Sequence, residues 1–194
     1  MTESFYTPPQ SNLKPSLAVD RKEFYVVSLR KFVILYLATL GWYGLYWFYR
    51  QWTENRRFSG SSVLPVLRAM FAFIFVFPLF RKVDQSLRRQ ELGSMALWWV
   101  SAGILFVLSV VGVVLSMAGE HARVEDSPVW FGLLLPLITA QIINVLIVQR
   151  KMNVAAQDPS GQSNSSLSGA NWAWVAFGSL FWLSNLATFL LFGI

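Results

Sequence analysis

Residues 31–52 of this chain read KFVILYLATLGWYGLYWFYRQW. Between the flanking cations Lys31 and Arg50 the stretch has no charged residue and is rich in aromatic side chains. Roughly 18 consecutive apolar residues are enough to cross a bilayer, and tyrosine and tryptophan favour the boundary between lipid and water. The stretch therefore predicts a membrane protein whose first membrane segment is residues 32–49.

Four more apolar runs follow the first, over residues 63–80, 95–118, 130–148 and 172–194. They predict an all-α integral membrane bundle of three to five transmembrane helices in residues 20–194. The basic residues 81–92 predict an amphipathic helix on the cytoplasmic surface. Residues 1–19 are expected to form a flexible cytoplasmic tail, and residues 156–170 a linker rich in serine, glycine and asparagine.

The composition agrees with this class. Charged residues make up 13% of the 194 residues, whereas soluble domains contain about 25%. The chain has 16 Lys and Arg against 10 Asp and Glu, an excess that in membrane proteins marks cytoplasmic loops and contact with anionic lipid. No basic stripe interleaved with aromatic residues lies outside the apolar runs, so nucleic acid is not a predicted partner. The chain has no cysteine, which excludes disulfides and thiolate chemistry.

The basic residues also predict an orientation. The positive-inside rule assigns residues 81–92 and 150–171 to the cytoplasm and the acidic residues 119–127 to the outside, which gives a cytoplasmic N-terminus and a periplasmic C-terminus. Residues 50–62 conflict with this pattern, because their three arginines would face outward if both early runs crossed. Either five helices cross and one loop breaks the rule, or three helices cross and the first two runs dip into the membrane and return. The length of the first run favours five.

One charge falls inside an apolar run. Arg68 has no acidic residue in any of the five runs to pair with, and charges at such depth tend to be paired or functional. We expect its guanidinium to reach a lipid phosphate at headgroup level, or to bind an anion in a pocket between helices. Contact with lipid or anions is also expected of the basic residues after the second run, which are Arg81, Lys82, Arg88 and Arg89.

Two further groups of residues are candidates for contacts between helices. Gln141, Asn144 and Gln149 share one broad helical face, and together with Asn185 of the last run they are expected to hydrogen-bond between helices or to line a polar path. A separate group in the first run is expected to pack against a partner, with its glycines allowing close helix packing rather than a bend. Its members are Gly41, Trp42, Gly44 and Trp47.

Catalytic chemistry has little support in the sequence. General acid–base and nucleophilic catalysis need positioned titratable groups, and the apolar runs offer only Arg68 and tyrosines. The single histidine, His121, lies beside loop carboxylates, a set too poor in nitrogen and sulfur ligands for a typical zinc site. We therefore predict no enzyme activity, no cofactor and no metal.

The motif in residues 39–49, TLGWYGLYWFY, resembles the T-L-G-x-Y-G-x-Y-W signature of a group of small bacterial membrane proteins, the domain-of-unknown-function group numbered 4234. Residues 65–71, residues 79–83 and the pair Gln149 and Asn153 are similar to longer proteobacterial relatives of that group. Trp42 departs from the pattern, which usually has a small aliphatic residue there. The resemblance implies a bacterial inner-membrane location and supplies no activity.

These observations together predict a non-catalytic multi-pass membrane protein. Its expected role is that of an accessory or scaffold subunit, which contacts anionic lipid headgroups and either other membrane proteins or further copies of itself. The alternative is a small channel or carrier for a neutral or anionic solute, with Arg68, Gln141, Asn144 and Asn185 lining the path.

Overall fold

A computed structural model describes residues 22–39, 41–122 and 128–192. Throughout this part of the chain the regular structure is helical and no strand is present, which confirms the all-α class. The helices are α1 Leu29–Ala38, α2 Trp42–Ser59, α3 Pro65–Met70, α4 Ala72–Arg89, α5 Trp98–Ala122, α6 Pro128–Ala155 and α7 Gly169–Phe192, with one 3₁₀ turn at Gln162–Asn164.

The first apolar run is divided between two helices. α1 ends at Ala38 and α2 begins at Trp42, and Gly41 between them has a φ of +89°, in the left-handed region that other residues enter only at a cost. The Thr39 hydroxyl joins the two helices, because it donates to the Leu35 carbonyl and accepts from the Tyr43 N–H. Residues 32–49 are therefore not one continuous helix. Close helix packing was the favoured role for Gly41, but this glycine forms a bend instead.

The second apolar run is also divided. α3 begins with Pro65 and ends at Met70. Proline's missing N–H is harmless at the first turn of a helix, because N–H groups there have no intrahelical partner. α4 starts at Ala72 and continues through Pro78 to Arg89. The basic residues predicted to form a separate surface helix are thus the last turns of α4. Its buried residues recur at helical spacing and form one apolar face, at Val76, Leu79, Phe80, Val83 and Leu87.

The last three helices are the long ones. α5 packs against α4 and α6, and α7 packs against α1, where Gly178 leaves no room for a side chain beside the Ala38 carbonyl. Among the described residues one helical segment, Trp98–His121, is long and apolar enough to cross a membrane, with a mean hydropathy of 2.5. The described residues thus support one crossing helix, and the bundle of three to five stays a prediction.

An extended segment, residues 23–28, precedes α1 and is held along both edges. On one edge Gln51 of α2 pairs with both the N–H and the carbonyl of Tyr25, and Asn153 of α6 pairs in the same way with Val27. Successive residues of an extended chain point their backbone groups to opposite sides. Side-chain amides here replace the neighbouring strand of a sheet.

The opposite edge of the extended segment contacts the loop after α6. Asn164 donates from its side chain to the Val26 carbonyl at 2.8 Å and accepts the Ser28 N–H on its own carbonyl at 3.3 Å. The loop is ordered by Asp158, which accepts the N–H groups of Gln162 and Ser163. Of the predicted linker, residues 156–168 form a loop whose polar side chains bond one another and the extended segment, and the last two residues already belong to α7.

Gly161 is the closest point between this loop and the extended segment. Its φ is +69°, and a Cβ built there would lie 2.6 Å from the Ser28 nitrogen. Gly60 has nearly the same φ, +67°, with nothing within 4 Å of such a Cβ. We expect Gly60→Ala to cost about 1–2 kcal/mol, the usual penalty of a left-handed residue. Gly161→Ala is expected to cost about 1–3 kcal/mol more, because the backbone of Ser28 must move.

The free energy of unfolding of both variants is measured in detergent by tryptophan fluorescence. Equal losses of stability in Gly60→Ala and Gly161→Ala would contradict the close contact between the loop and the extended segment.

Candidate functional site at the polar end of the bundle

The extended segment brings together the C-terminal ends of α2, α4 and α6 and the loop after α6, and we call this region the polar end. At its centre lie three amide side chains with no solvent exposure, Gln51, Gln149 and Asn153. Gln149 donates to the Tyr25 carbonyl at 3.1 Å and to the Asn153 side-chain oxygen at 2.6 Å. Its own oxygen accepts from Gln51 at 3.0 Å and from the indole N–H of Trp47. We refer to Gln51, Gln149 and Asn153 as the amide cluster.

The amide cluster changes the roles expected for two residues. Gln149 was expected on a polar face with Gln141 and Asn144, but it bonds α2 and the extended segment instead. Trp47 was expected to pack against a partner, but it is 2% exposed and lies in the core of its own chain. Burial of this indole is favourable because its one polar atom is hydrogen-bonded.

The rest of the expected partner surface is mixed. Gly44 faces the ring of Tyr36, which would lie 3.0 Å from a Cβ at that position, and Gly41 forms the bend described above. Trp42 differs from both, because its side chain is 72% exposed. Of the four residues expected to contact a partner, Trp42 is the one that offers a broad free surface.

The remaining amides join α5 to α6. Gln141 donates to the Ser109 hydroxyl at 3.0 Å, and Asn144 donates to the Ser101 carbonyl at 2.7 Å. Their partners therefore lie on α5, although the last apolar run was expected to supply a partner. The side chain of Asn185 lies outside the described part of the chain. Bonded amides of this kind hold neighbouring membrane helices together.

Arg68 is stacked on aromatic rings. Its guanidinium carbon lies 3.9 Å from the centroid of the Trp52 ring and 5.2 Å from that of Phe75. Such cation–π contacts favour a cation that lacks a carboxylate partner. Arg68 thus contacts two rings of its own chain, and the lipid or anion contact expected of it stays a prediction.

The basic end of α4 is partly neutralised. Arg89 pairs with the buried Glu23 at 2.6 Å, and Arg88 pairs with the buried Asp84 at 2.9 Å. Asp84 also accepts the N–H of Met95 and so fixes the connection to α5. Arg81 and Lys82 have no ion pair within the described residues. Of the four cations expected to contact lipid, these two are the stronger candidates.

A second basic region was not predicted from the sequence. It is a cavity of about 900 Å³ between the extended segment, α2 and the start of α7, and we call it the cationic cavity. Its charged lining consists of four cations and one carboxylate, which are Lys22, Lys31, Arg50, Arg57 and Glu54. Glu54 accepts from Arg50 at 2.6 Å and from Arg57 at 3.4 Å. The lining therefore carries an excess of positive charge.

Lys31 is the most buried of these cations, with 6% of its surface exposed. Its ammonium group donates at 2.7 Å to the Asn164 side chain and at 2.7 Å to the Ser166 carbonyl. Both acceptors are neutral, and burial lowers the pKa of Lys31 below its usual value. An ammonium has three N–H donors, so one is left for a further acceptor.

Arg50 has an unused donor as well. Its Nε is buried without a hydrogen-bond partner, and its guanidinium carbon lies 4.8 Å from the centroid of the Tyr25 ring. At the outer side of the cavity Lys22 pairs with Asp158 at 3.7 Å. The side chain and backbone N–H of Ser163 hold the pKa of Asp158 at about 2, so this carboxylate is ionised at neutral pH.

An apolar groove of about 270 Å³ adjoins the cationic cavity. The groove and the cavity share Tyr46 and Asn171 as lining residues. The groove is otherwise lined mainly by apolar and aromatic side chains of α1, α2 and α7, among them Leu35, Trp42, Ala170 and Trp174. The cationic cavity and the apolar groove are thus neighbouring spaces with two lining residues in common.

Sequence reasoning missed most of this site. Gln149 and Asn153 are four residues apart, a spacing that signals one helical face. Nothing in the sequence links them to Gln51, about 100 residues earlier. Lys31 and Arg50 were read only as the ends of an apolar run. Among the described residues no group of three His, Cys, Asp or Glu side chains could hold a metal ion.

The amide cluster leads to a stability prediction. Gln149→Leu removes the acceptor of the buried Trp47 N–H, and a buried polar group left unsatisfied costs about 1–3 kcal/mol. Gln141→Leu is the matched control, because it removes one hydrogen bond between α5 and α6, worth about 0.6–2 kcal/mol. We expect Gln149→Leu to lower the unfolding temperature more, and to shift tryptophan fluorescence as the Trp47 environment changes. A larger loss in Gln141→Leu would show that the amide cluster is not central.

Comparisons of this chain with protein-family models, with curated proteins and with solved structures found no match. The function proposed next accordingly rests on the contacts, burial and charges of the chain's own residues.

Proposed function

We propose that this chain is a non-catalytic multi-pass membrane protein, located in a bacterial inner membrane, that acts as an accessory or scaffold subunit. Its basic polar end faces the cytoplasm and contacts anionic lipid headgroups. Its apolar sides contact lipid tails and either another membrane protein or a second copy of the chain. One observation carries the proposal. The long helices expose apolar side chains along their length, and the basic ends of several helices meet at the polar end.

The apolar body is the first support. Large hydrophobic side chains are exposed along the three long helices, and among them are Trp99, Val113 and Met117 of α5, Ile143 and Ile147 of α6, and Phe177 and Leu180 of α7. Soluble monomers rarely expose continuous apolar patches of more than a few hundred Å². In a bilayer such a surface needs no other cover, because lipid tails are as apolar as these side chains.

The path of α1 and α2 is the second support. α1 starts at the polar end, where the Ser28 hydroxyl accepts the Lys31 N–H at its first turn. α2 returns to the same end, since Gln51 contacts the extended segment. The two helices therefore form a hairpin with its tip at Gly41. A hairpin of this kind enters the membrane from one side and leaves on that side.

α3 and α4 follow the same plan. α3 begins beside the C-terminal half of α2, where Leu64 and Pro65 line a pocket with Thr53 and Arg56. α4 ends at the polar end, where Arg89 meets Glu23. Of the two topologies left open by the sequence, these hairpins favour three crossing helices, α5 to α7, preceded by two segments that dip in and return. The five-span topology, favoured by the length of the first run, loses its main support because that run is divided at Gly41.

This topology also removes the conflict in charge. Residues 50–62 now lie on the same side as residues 81–92 and 150–155, so all these basic segments obey the positive-inside rule. Each lysine or arginine near an anionic membrane surface contributes about 1 kcal/mol to attraction. The exposed cations available for this contact include Arg56, Arg57, Arg81 and Arg150.

A structural role fits the titratable groups better than catalysis. Glu23, Glu54 and Asp84 are each held in an ion pair, and Asp158 accepts two backbone N–H groups. The channel alternative has no comparable observation in its favour, because Gln141 and Asn144 are bonded between helices and Arg68 is stacked on rings.

Exposed tryptophans on α2 and α7 offer the partner surface, and they are Trp42, Trp172, Trp174 and Trp182.

Cysteine labelling tests the topology, because the chain has no cysteine of its own. We expect Ser62→Cys to react with a membrane-impermeant maleimide only after lysis, as the hairpin topology requires. Gln85→Cys is the cytoplasmic control and His121→Cys the external control, and all three positions are exposed. Labelling of Ser62→Cys from outside, with both controls as expected, would show that the first two runs cross the membrane.

Purification from the native membrane tests the role. We expect the tagged chain, extracted in a polymer that keeps surrounding lipid, to elute with one membrane protein in fixed stoichiometry or as a defined oligomer. Trp42→Ala is expected to weaken that association without lowering the unfolding temperature, because the side chain is 72% exposed. Tryptophans are common anchors of protein interfaces. A wild-type chain that elutes as a monomer would overturn the scaffold role.

A further inference from the structure

We propose that the cationic cavity and the apolar groove together form a binding site for one anionic membrane lipid. The lipid phosphate would lie against Lys31 and Arg50, and one acyl chain would follow the groove between α2 and α7. This inference rests on the membrane location proposed above. It goes further than general contact with headgroups, because it assigns one site, one stoichiometry and a separate set of residues.

The buried lysine is the first step. Lys31 is almost completely buried, and both groups that it donates to are neutral. A buried charge without a counterion is strongly unfavourable. Within the described residues no carboxylate lies within ion-pair distance of Lys31. An anion in the cavity would supply the missing charge and accept the third N–H of the ammonium group.

The arginine is the second step. Arg50 uses one terminal nitrogen for Glu54, and its Nε is buried with no partner. Two neighbouring N–H groups of a guanidinium match two oxygens of a phosphate. The Tyr25 ring below the guanidinium restricts its movement. Arg50 therefore lines the cavity in a restricted position, with Glu54 as its one ion-pair partner.

The charge balance is the third step. Four cations line the cavity with one carboxylate, Glu54, and they are Lys22, Lys31, Arg50 and Arg57. Glu54 is shared by Arg50 and Arg57, and Lys22 pairs with Asp158, which is not a lining residue; the balance stays positive. The start of α7 adds to the positive potential, because Ser168 and Asn171 at its first turn also line the cavity and the N-terminus of a helix favours anions. A cavity of about 900 Å³ is at the upper end of the usual size for a small-molecule site.

The apolar groove selects a lipid over a free anion. A free phosphate ion would fill the cationic cavity alone and would make no contact with the apolar side chains of the adjoining groove, such as Trp42 and Trp174. Trp42 and Trp174 line the groove and are both exposed, so an acyl chain can enter from the surrounding bilayer without passing through the bundle. Tyr46 and Asn171 line both spaces and would lie near the junction of headgroup and chain.

The test uses the full-length chain in detergent after removal of native lipid. Unfolding temperature and native mass spectrometry are measured with palmitoyl-oleoyl-phosphatidylglycerol, with the phosphatidylcholine of the same chains, and with inorganic phosphate. We expect one phosphatidylglycerol to bind and to raise the unfolding temperature, with little effect of the other two. Arg50→Gln is expected to weaken binding about tenfold or more, since hydrogen bonds to charged groups contribute about 1.5–3 kcal/mol.

Matched variants separate the site from the general basic surface. Arg81→Gln removes an exposed cation of the same polar end outside the cavity, and we expect it to retain binding. Arg57→Gln serves as a second cavity variant if Arg50→Gln does not fold, because the Arg57 side chain is 63% exposed.

Each other outcome overturns the inference in a distinguishable way. Equal stabilisation by inorganic phosphate would make the cavity a site for a free anion. An equal loss of phosphatidylglycerol binding in Arg50→Gln and Arg81→Gln would show diffuse electrostatic attraction and no single site. The general lipid contact proposed above would then stand. Absence of any effect of phosphatidylglycerol would exclude the lipid site, and the cysteine labelling then decides independently whether the chain is a membrane protein of the proposed topology.

Discussion

The structure depends on how the backbone of one extended segment is satisfied inside a helical bundle. Residues 23–28 bury Phe24 and Val27 completely, so their N–H and carbonyl groups cannot rely on water. No neighbouring strand is present among the described residues, and the hydrogen bonds come from Gln51 and Asn153 on one edge and Asn164 on the other. Gln149 then ties the amides together. Because each amide has both a donor and an acceptor, a few side chains can replace a β-ladder, and removal of one leaves several groups unpaired.

This arrangement explains why the helix ends meet on one side. Gln51 belongs to α2, Gln149 and Asn153 to α6, and Arg89 of α4 reaches Glu23 in the same segment. The segment therefore acts as a common attachment point for elements far apart in sequence. The breaks at Gly41 and Phe71 are the counterpart of this convergence, since the chain reaches the polar end again through the helix that follows each break.

The cationic cavity is a consequence of the same packing. The extended segment and the loop after α6 hold Lys31 beneath neutral acceptors, and α2 presents Arg50 from the other side over Tyr25. Lys31 has no carboxylate partner among the described residues, and Arg50 shares the half-buried Glu54 with Arg57. The bundle thus concentrates positive charge next to an exposed apolar groove, a combination that matches the two halves of an anionic lipid.

Several properties follow from the sequence by itself. The all-helical class follows from the long apolar runs. This inference succeeds because it depends on composition and on local periodicity. The interaction of Gln141 and Asn144 with another helix also follows, since buried amides need partners, although the serines of α5 that serve them could not be named.

The tertiary structure decided the rest. Residues 32–49 looked long enough for one span, and only the path of the chain shows that Gly41 divides them. Trp47 looked like a surface aromatic, and Lys31 and Arg50 looked like the ends of a membrane segment. Their roles depend on residues about 100 or more positions away, such as Gln149 and Asn164. Local sequence patterns do not indicate which residues so far apart will be in contact, because those contacts are set by how the helices pack.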